Sequence, residues 1–188
     1  MSRLAFTTFA IMLKPYGSEV VRGFEAITPA VFRHAEKAPG FITRARELDE
    51  DNEALTNFER DWGPWGPFAV PRFYDGGRQT KTDTRASTLS LWTDIEAVRA
   101  FAYGGLHARA LAQREKWFRK PVWPTYAMWW VGDEYIPTWV EAARNLEFLH
   151  DNGPSPRVFD FAQPFDPDGH RLSQIDGQRI EPLSATAS

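Results

Sequence analysis

His107 and Arg114 are the two side chains of this sequence best suited to chemistry. A histidine with a near-neutral pKa takes and gives protons at physiological pH. An arginine offers a fixed fork of donors to a carboxylate, an enolate or another developing oxyanion. Seven residues separate them, so on one helix they stand two turns, about 10 Å, apart. They cannot bond each other, yet they could address opposite ends of one small ligand. Leu111 and Phe118 complete the same helical face. Tyr103 precedes Gly104 and Gly105 and would add a hydroxyl; the paired glycines permit close approach or bend the helix. Trp92, Trp117, Trp129 and Trp130 are candidate walls of an aromatic pocket. Arg44 would be an unusual inward charge on a strand, or would face solvent.

Each of these residues also has a plainer reading. His107 would cap a helix start after the glycines, and Arg114 would pair with Glu115 or another surface acid. Tyr103 would be a core residue with a wet tip, and the tryptophans would fill the core. His34, His150 and His170 lack metal-ligand spacing with neighbouring acids, so no metal site is expected. The acidic run from Glu47 to Glu53 reads as a solvated face and not a calcium loop. No phosphate-binding glycine loop and no nucleophile elbow occurs.

Composition narrows the classes further. The 188 residues, 43% hydrophobic and 25% charged, fit one soluble globular domain. A net charge of −3 without a basic cluster argues against a nucleic-acid partner. Zero cysteines exclude disulfides and thiolate chemistry and suit the cytoplasm, the expected location. No run is long enough to span a membrane, and no membrane partner is expected. The apolar stretch from Leu4 to Leu13 is short, contains Thr7 and Thr8 and ends at Lys14 and Pro15. It reads as a strand and not a signal peptide.

Positioning these residues falls to a short list of elements. The Leu4–Leu13 strand is apolar on both faces. A helix follows from Ser18 and Glu19, broken or kinked at Thr28 and Pro29. Strand two runs from Phe41 to Arg46. The stretch 47–85 has no regular pattern but carries Trp62, Trp65, Phe68 and Phe73, so it is expected to be an ordered insertion packed on the body. Strand three, Ser87 to Trp92, leads through the Thr93–Asp94 cap into a helix interrupted at Gly104 and Gly105. A second helical segment is predicted from Leu106 to about Lys120. Strand four, Trp123 to Val131, puts Trp129 and Trp130 on opposite faces, so at most one of them lines any given cavity. A last helix ends near Gly153, and Val158 to Phe161 would add an edge strand. One domain over 1–162 with a polar C-terminal tail over 163–188 is expected.

The order strand, helix, strand, strand, helix, strand is the split βαβ, ferredoxin-like arrangement: an α+β fold with a four-stranded antiparallel sheet and helices on one face. Strands one and four are apolar on both faces, so the second face needs a cover. A second copy of the chain, giving a homodimer closed through its sheets, is the expected cover. The insertion or the tail is the alternative.

Several stretches also carry a family resemblance. They are Ala35 to Phe41, Leu89 to Trp92 with Phe101 and His107, Trp129 and Trp130 through Thr138, Leu146 to His150, and Gly153 to Pro156. Together they resemble a bacterial and fungal domain-of-unknown-function family of the dimeric α/β-barrel superfamily. More distantly, Leu89 to Leu111 is similar to the antibiotic-biosynthesis monooxygenases and their heme-degrading relatives. The resemblance implies a pocket between helices and sheet, used elsewhere for cofactor-free oxygenation, heme chemistry, isomerisation or dehydration. It places His107 where the monooxygenase-like branch has a recurrent histidine. Where the heme-degrading branch has its iron ligand, this chain has Leu111.

The resulting expectation is a small-molecule enzyme needing no cofactor. It would act on an apolar or aromatic substrate by acid–base chemistry, with His107 as acid–base group and Arg114 as anion stabiliser. A heme enzyme of the same superfamily and a non-catalytic ligand-binding protein are the alternatives.

Overall fold

The computed structural model describes residues 1–49, 55–173 and 181–182. Strand β1 (Ser2–Ile11) is central, antiparallel to β3 (Arg85–Trp92) on one side and to β4 (Tyr126–Gly132) on the other, with β2 (Phe41–Arg44) outside β3. The order β2-β3-β1-β4, with α1 (Arg22–Ala35) and α2 (Ile95–Ala102) as crossovers, is that of the ferredoxin-like fold. A short α3 (Gly105–Leu111) follows α2, and α4 (Trp139–Asn152) follows β4. A two-stranded ribbon, β5 (Leu172–Ser173) and β6 (Glu181–Pro182), lies near the C-terminus.

Local chemistry sets most of the boundaries. Asp94 accepts the Ala97 amide and caps α2, and Thr138 caps α4 through the Glu141 amide. Gly153, at φ +73°, ends α4. Helix α1 runs unbroken through Pro29, contrary to the expected break. Pro29 is exposed, and the Thr28 hydroxyl donates back to the Phe24 carbonyl, so the ring costs one backbone bond without stopping the helix. The segment after Gly105 departs further from expectation. Its helix ends at Leu111, and only a 3-10 turn at Arg114–Lys116 follows. The chain there turns back to β1, where Leu13 N–H donates to Trp117 O and Arg119 N–H to Ile11 O.

The two faces of the sheet are covered differently. Leu4, Phe6, Trp92 and Met128 pack with Val98, Phe101 and Ala35 of the crossover helices and with Phe159 and Phe161. The opposite face carries Ala5, Leu89, Leu91 and Trp129 and is covered by Trp139 and Ala142 of α4 together with Trp62, Trp65 and Phe68. Further along, Phe9, Ile11 and Ala127 meet Leu146 and Leu149 of α4, with Val70, Phe73 and Trp123 against them. Helices therefore lie on both faces, which corrects the expectation of helices on one. Each large apolar side chain so buried contributes about 1.5–3 kcal/mol. On the α4 face the cover expected from a second copy is supplied by α4 and the 58–74 stretch.

Polar fastenings hold this cover in place. Arg72 pairs with Asp151 of α4, and its amide donates to Glu147. Deeper down, Asp83 and Arg85 are 4% and 3% exposed and form a buried pair at 3.1 Å. The Tyr74 hydroxyl donates to Asp83 at 2.8 Å, and the Arg85 guanidinium lies 4.5 Å from the centre of the Phe68 ring. On the β4 edge, Phe159 exchanges two backbone hydrogen bonds with Met128, and Trp130 Nε1–H donates to Phe165 O.

Candidate functional site

The face of the sheet beneath α1 to α3 is built in rows. Register places Leu4 between Trp92 and Trp130, Phe6 between Ser90 and Met128, and Thr8 between Thr88 and Tyr126, with Ala10 beside Ala86. Apart from the half-buried Trp130, the first two rows are buried, while Thr8, Thr88, Tyr126, Ala10 and Ala86 are half-buried. Above them, Phe24, Ile27, Thr28 and Val31 of α1 are also only half-buried, and α3 has no fully buried residue. We take the space between this half-buried helical stripe and the half-buried end of the sheet as the candidate groove. Its floor is small and hydroxylated: Thr8 and Thr88 hydroxyls bond each other at 2.7 Å, with the Tyr126 phenol alongside on the same face.

His107 stands at the start of α3, positioned by the Gly104–Gly105 turn. Gly105 sits at φ +50°, and a Cβ there would come 2.9 Å from His34 Nε2. His107 Nδ1 lies 2.7 Å from Ala102 O. A carbonyl only accepts, so Nδ1 carries the proton and, in the neutral ring, Nε2 holds the lone pair. Burial pushes the His107 pKa below the usual histidine value; the Ala102 bond works the other way, and nearby His34 adds to the lowering. Nε2 has no hydrogen-bond partner among the described residues. The ring packs 4.8 Å from Phe101, which stacks on Trp92 at 5.3 Å.

A second cluster adjoins it. Tyr103 and Tyr126 lie 5.5 and 5.2 Å from Phe161, and Tyr126 lies 6.2 Å from Phe6. The Tyr126 hydroxyl accepts the Phe161 amide. Burial holds this phenol well above its ordinary pKa, with that amide bond opposing and Tyr103 and Asp160 reinforcing. It stays protonated, and so a donor, at any physiological pH.

Of the residues singled out by sequence, Trp92, Tyr103 and His107 come together around Phe101, Ala102 and Phe161. Leu111 lies on α3. Arg114 does not share their helical face, because the helix ends before it; it is exposed on the 3-10 turn. Trp117 and Phe118 pack against Phe24 at 6.1 and 5.0 Å, at the far end of the groove. Trp129 is buried on the opposite face under α4. Arg44 is bound to Glu36 at 2.9 Å and lies over Phe32, so its charge is satisfied structurally. Thr8, Thr88 and Tyr126 were missed, since only strand register reveals that three hydroxyls share one row.

Other placements bear on cofactors. A cavity of about 290 Å³ at the β4 edge is lined by Pro121, Trp123, Pro124, Thr125, Tyr126 and Asp160, among others, and by no histidine. Leu111 carries no donor for a metal, and the ring nitrogen left without a partner near it is His107 Nε2. Asp166, Asp168 and His170 do converge, within 4.8 Å, where sequence spacing gave no such sign. The Asp166 carboxylate is taken up by the amides of Asp168 and His170 and by the His170 ring, which closes a turn. Of the Glu47–Glu53 run, residues 50–53 lie outside the described residues. No helix of the described residues is long and apolar enough to cross a membrane.

Comparison with known proteins gives one family. A family described as "Domain of unknown function (DUF3291)" matches residues 3–175. No curated protein matches the chain. A solved structure titled "Putative antibiotic biosynthesis monooxygenase from Nitrosomonas europaea" is similar at 10% identity and a TM-score of 0.38, over 72% of this chain and 93% of that one. That is a distant likeness.

Proposed function

We propose, from the premise that this chain belongs to the DUF3291 family of domains of unknown function, that it is a small-molecule enzyme whose groove under α1 and α3 takes an apolar or aromatic substrate. The observation that carries this reading is the state of His107: neutral, fixed by its Nδ1–H on Ala102 O, with the Nε2 lone pair unengaged. A base so held takes a proton from an acidic carbon or hydroxyl of the bound molecule and returns it later. The Thr8–Thr88 pair and the protonated Tyr126 phenol anchor the substrate's polar atom, the place first given to Arg114. Phe24, Ile27 and Val31 receive its apolar body. Isomerisations, cyclisations and cofactor-free oxygenations that pass through an enolate or carbanion begin with such a proton abstraction.

Native mass spectrometry of freshly purified protein should identify a co-purified ligand, which then serves as test substrate. His107→Asn, whose Nδ2–H takes the place of Nδ1–H on Ala102 O, should bind it within about threefold of wild type and lose turnover by about 10²–10⁴-fold, on the order expected for a general base. Wild-type kcat/KM should decline on the acid side, with its midpoint below the ordinary histidine value of 6.5. Full turnover by the folded His107→Asn protein on that substrate would sink the assignment.

A further inference from the structure

We infer that the end of the molecule where β1 meets residues 114–122 is a docking surface for an anionic lipid bilayer. Two backbone hydrogen bonds join the two segments there, Leu13 N–H to Trp117 O and Arg119 N–H to Ile11 O, and together they make the Met12–Phe118 bridge. The loops so joined expose large apolar side chains. Val122 is 82% exposed, Leu13 42% and Tyr16 36%, and the Tyr16 ring leans on Phe24. Between them stand Lys14, Arg114, Lys116 and Lys120, all exposed and none ion-paired among the described residues.

Two of the acids nearby are neutralised, Glu19 by Arg22 and Asp75 by Arg119; Glu25 accepts only the Gly17 amide, and neither it nor Glu115 is ion-paired among the described residues. Four unpaired cations against two acids without a cation partner, Glu25 and Glu115, make this end positive on a chain whose net charge is −3. Charge complementarity therefore selects an anionic partner. Exposed apolar side chains interleaved with lysines favour a bilayer over an acidic protein, because the apolar groups enter the headgroup region while lysines stay at the phosphates. The patch also lies at the Phe24–Phe118 end of the groove, although its argument stands without that site.

The test is co-sedimentation of the full chain with vesicles of phosphatidylcholine alone and with 30% phosphatidylglycerol, at low and physiological salt. Binding is expected to the anionic vesicles only and to weaken as salt rises. The triple variant Lys14→Glu, Lys116→Glu, Lys120→Glu should lower affinity by at least about a hundredfold, since each cation near such a surface is worth roughly a factor of five. Leu13→Ser with Val122→Ser leaves the charge unchanged and should lower it about tenfold or more. These positions are exposed, so folding should persist, as circular dichroism can verify. Failure of wild type to bind at low salt overturns the inference. So does loss in the triple variant with none in the serine variant, which marks an acidic protein or a simple polyanion as the partner.

Discussion

Replacement of Asp83 by alanine is expected to cost about 3–5 kcal/mol of stability, read as a shift in urea midpoint at unchanged slope. The reason lies in what is left behind. Arg85 is 3% exposed, and Asp83 is its carboxylate partner at 3.1 Å. Without Asp83 its charge stays buried against the Phe68 ring with no bonded carboxylate, and the Tyr74 hydroxyl keeps only Gly77 O as an acceptor. A pair removed together behaves differently. Asp83→Leu with Arg85→Met should recover much of the loss, because no orphaned charge remains. A single-variant cost under about 1 kcal/mol, within the range of a surface pair, would show that water reaches this site.

The same cluster sets an alkaline limit. Tyr74 is pushed up to about 12 by burial first and then by its bond to Asp83. In the unfolded chain the phenol ionises near 10, so above that pH the unfolded state sheds its proton first. Stability is therefore full below pH 10 and declines between 10 and 12. Tyr74→Phe should flatten that decline, as alkaline unfolding curves would reveal.

Trp139→Ala is the second large effect. Trp139 is 3% exposed and meets Trp62 and Phe68 at 5.1 and 4.7 Å, joining α4 to the 62–68 stretch over the sheet. Truncation removes the residue that both parts of the cover share, and should cost about 3–5 kcal/mol. Loosening would uncover Ala5, Leu89, Leu91 and Trp129, so the variant should bind an apolar dye and self-associate. Wild type should show a single-chain mass of 21.5 kDa by native mass spectrometry. A wild-type dimer dissociated by Trp139→Ala would mean that this face is an interface and not a finished core.

How far the sequence foretold this can be judged from particular residues. Alternation along β1 and β4 was readable because strands repeat every two residues, and it rightly divided Trp129 from Trp130. The caps at Asp94 and Thr138 were readable because their chemistry is local. The end of α3 was not. Residues 112–116 are good helix formers, and what stops them is a backbone pairing with β1 a hundred residues away in sequence. For the same reason the face shared by His107 and Arg114 dissolved. The aromatic content of 62–73 announced burial, but which surface it would bury was a tertiary fact. The hydroxyl row of Thr8, Thr88 and Tyr126 needed the register of three strands, which no local pattern contains.

The self-made cover also changes how the fold responds to dilution. A sheet completed by another copy gains stability by mass action and loses it as the concentration falls. Here Trp62, Phe68 and Trp139 are tethered to the sheet they cover, so their association is unimolecular. The melting temperature should be the same at nanomolar and millimolar protein.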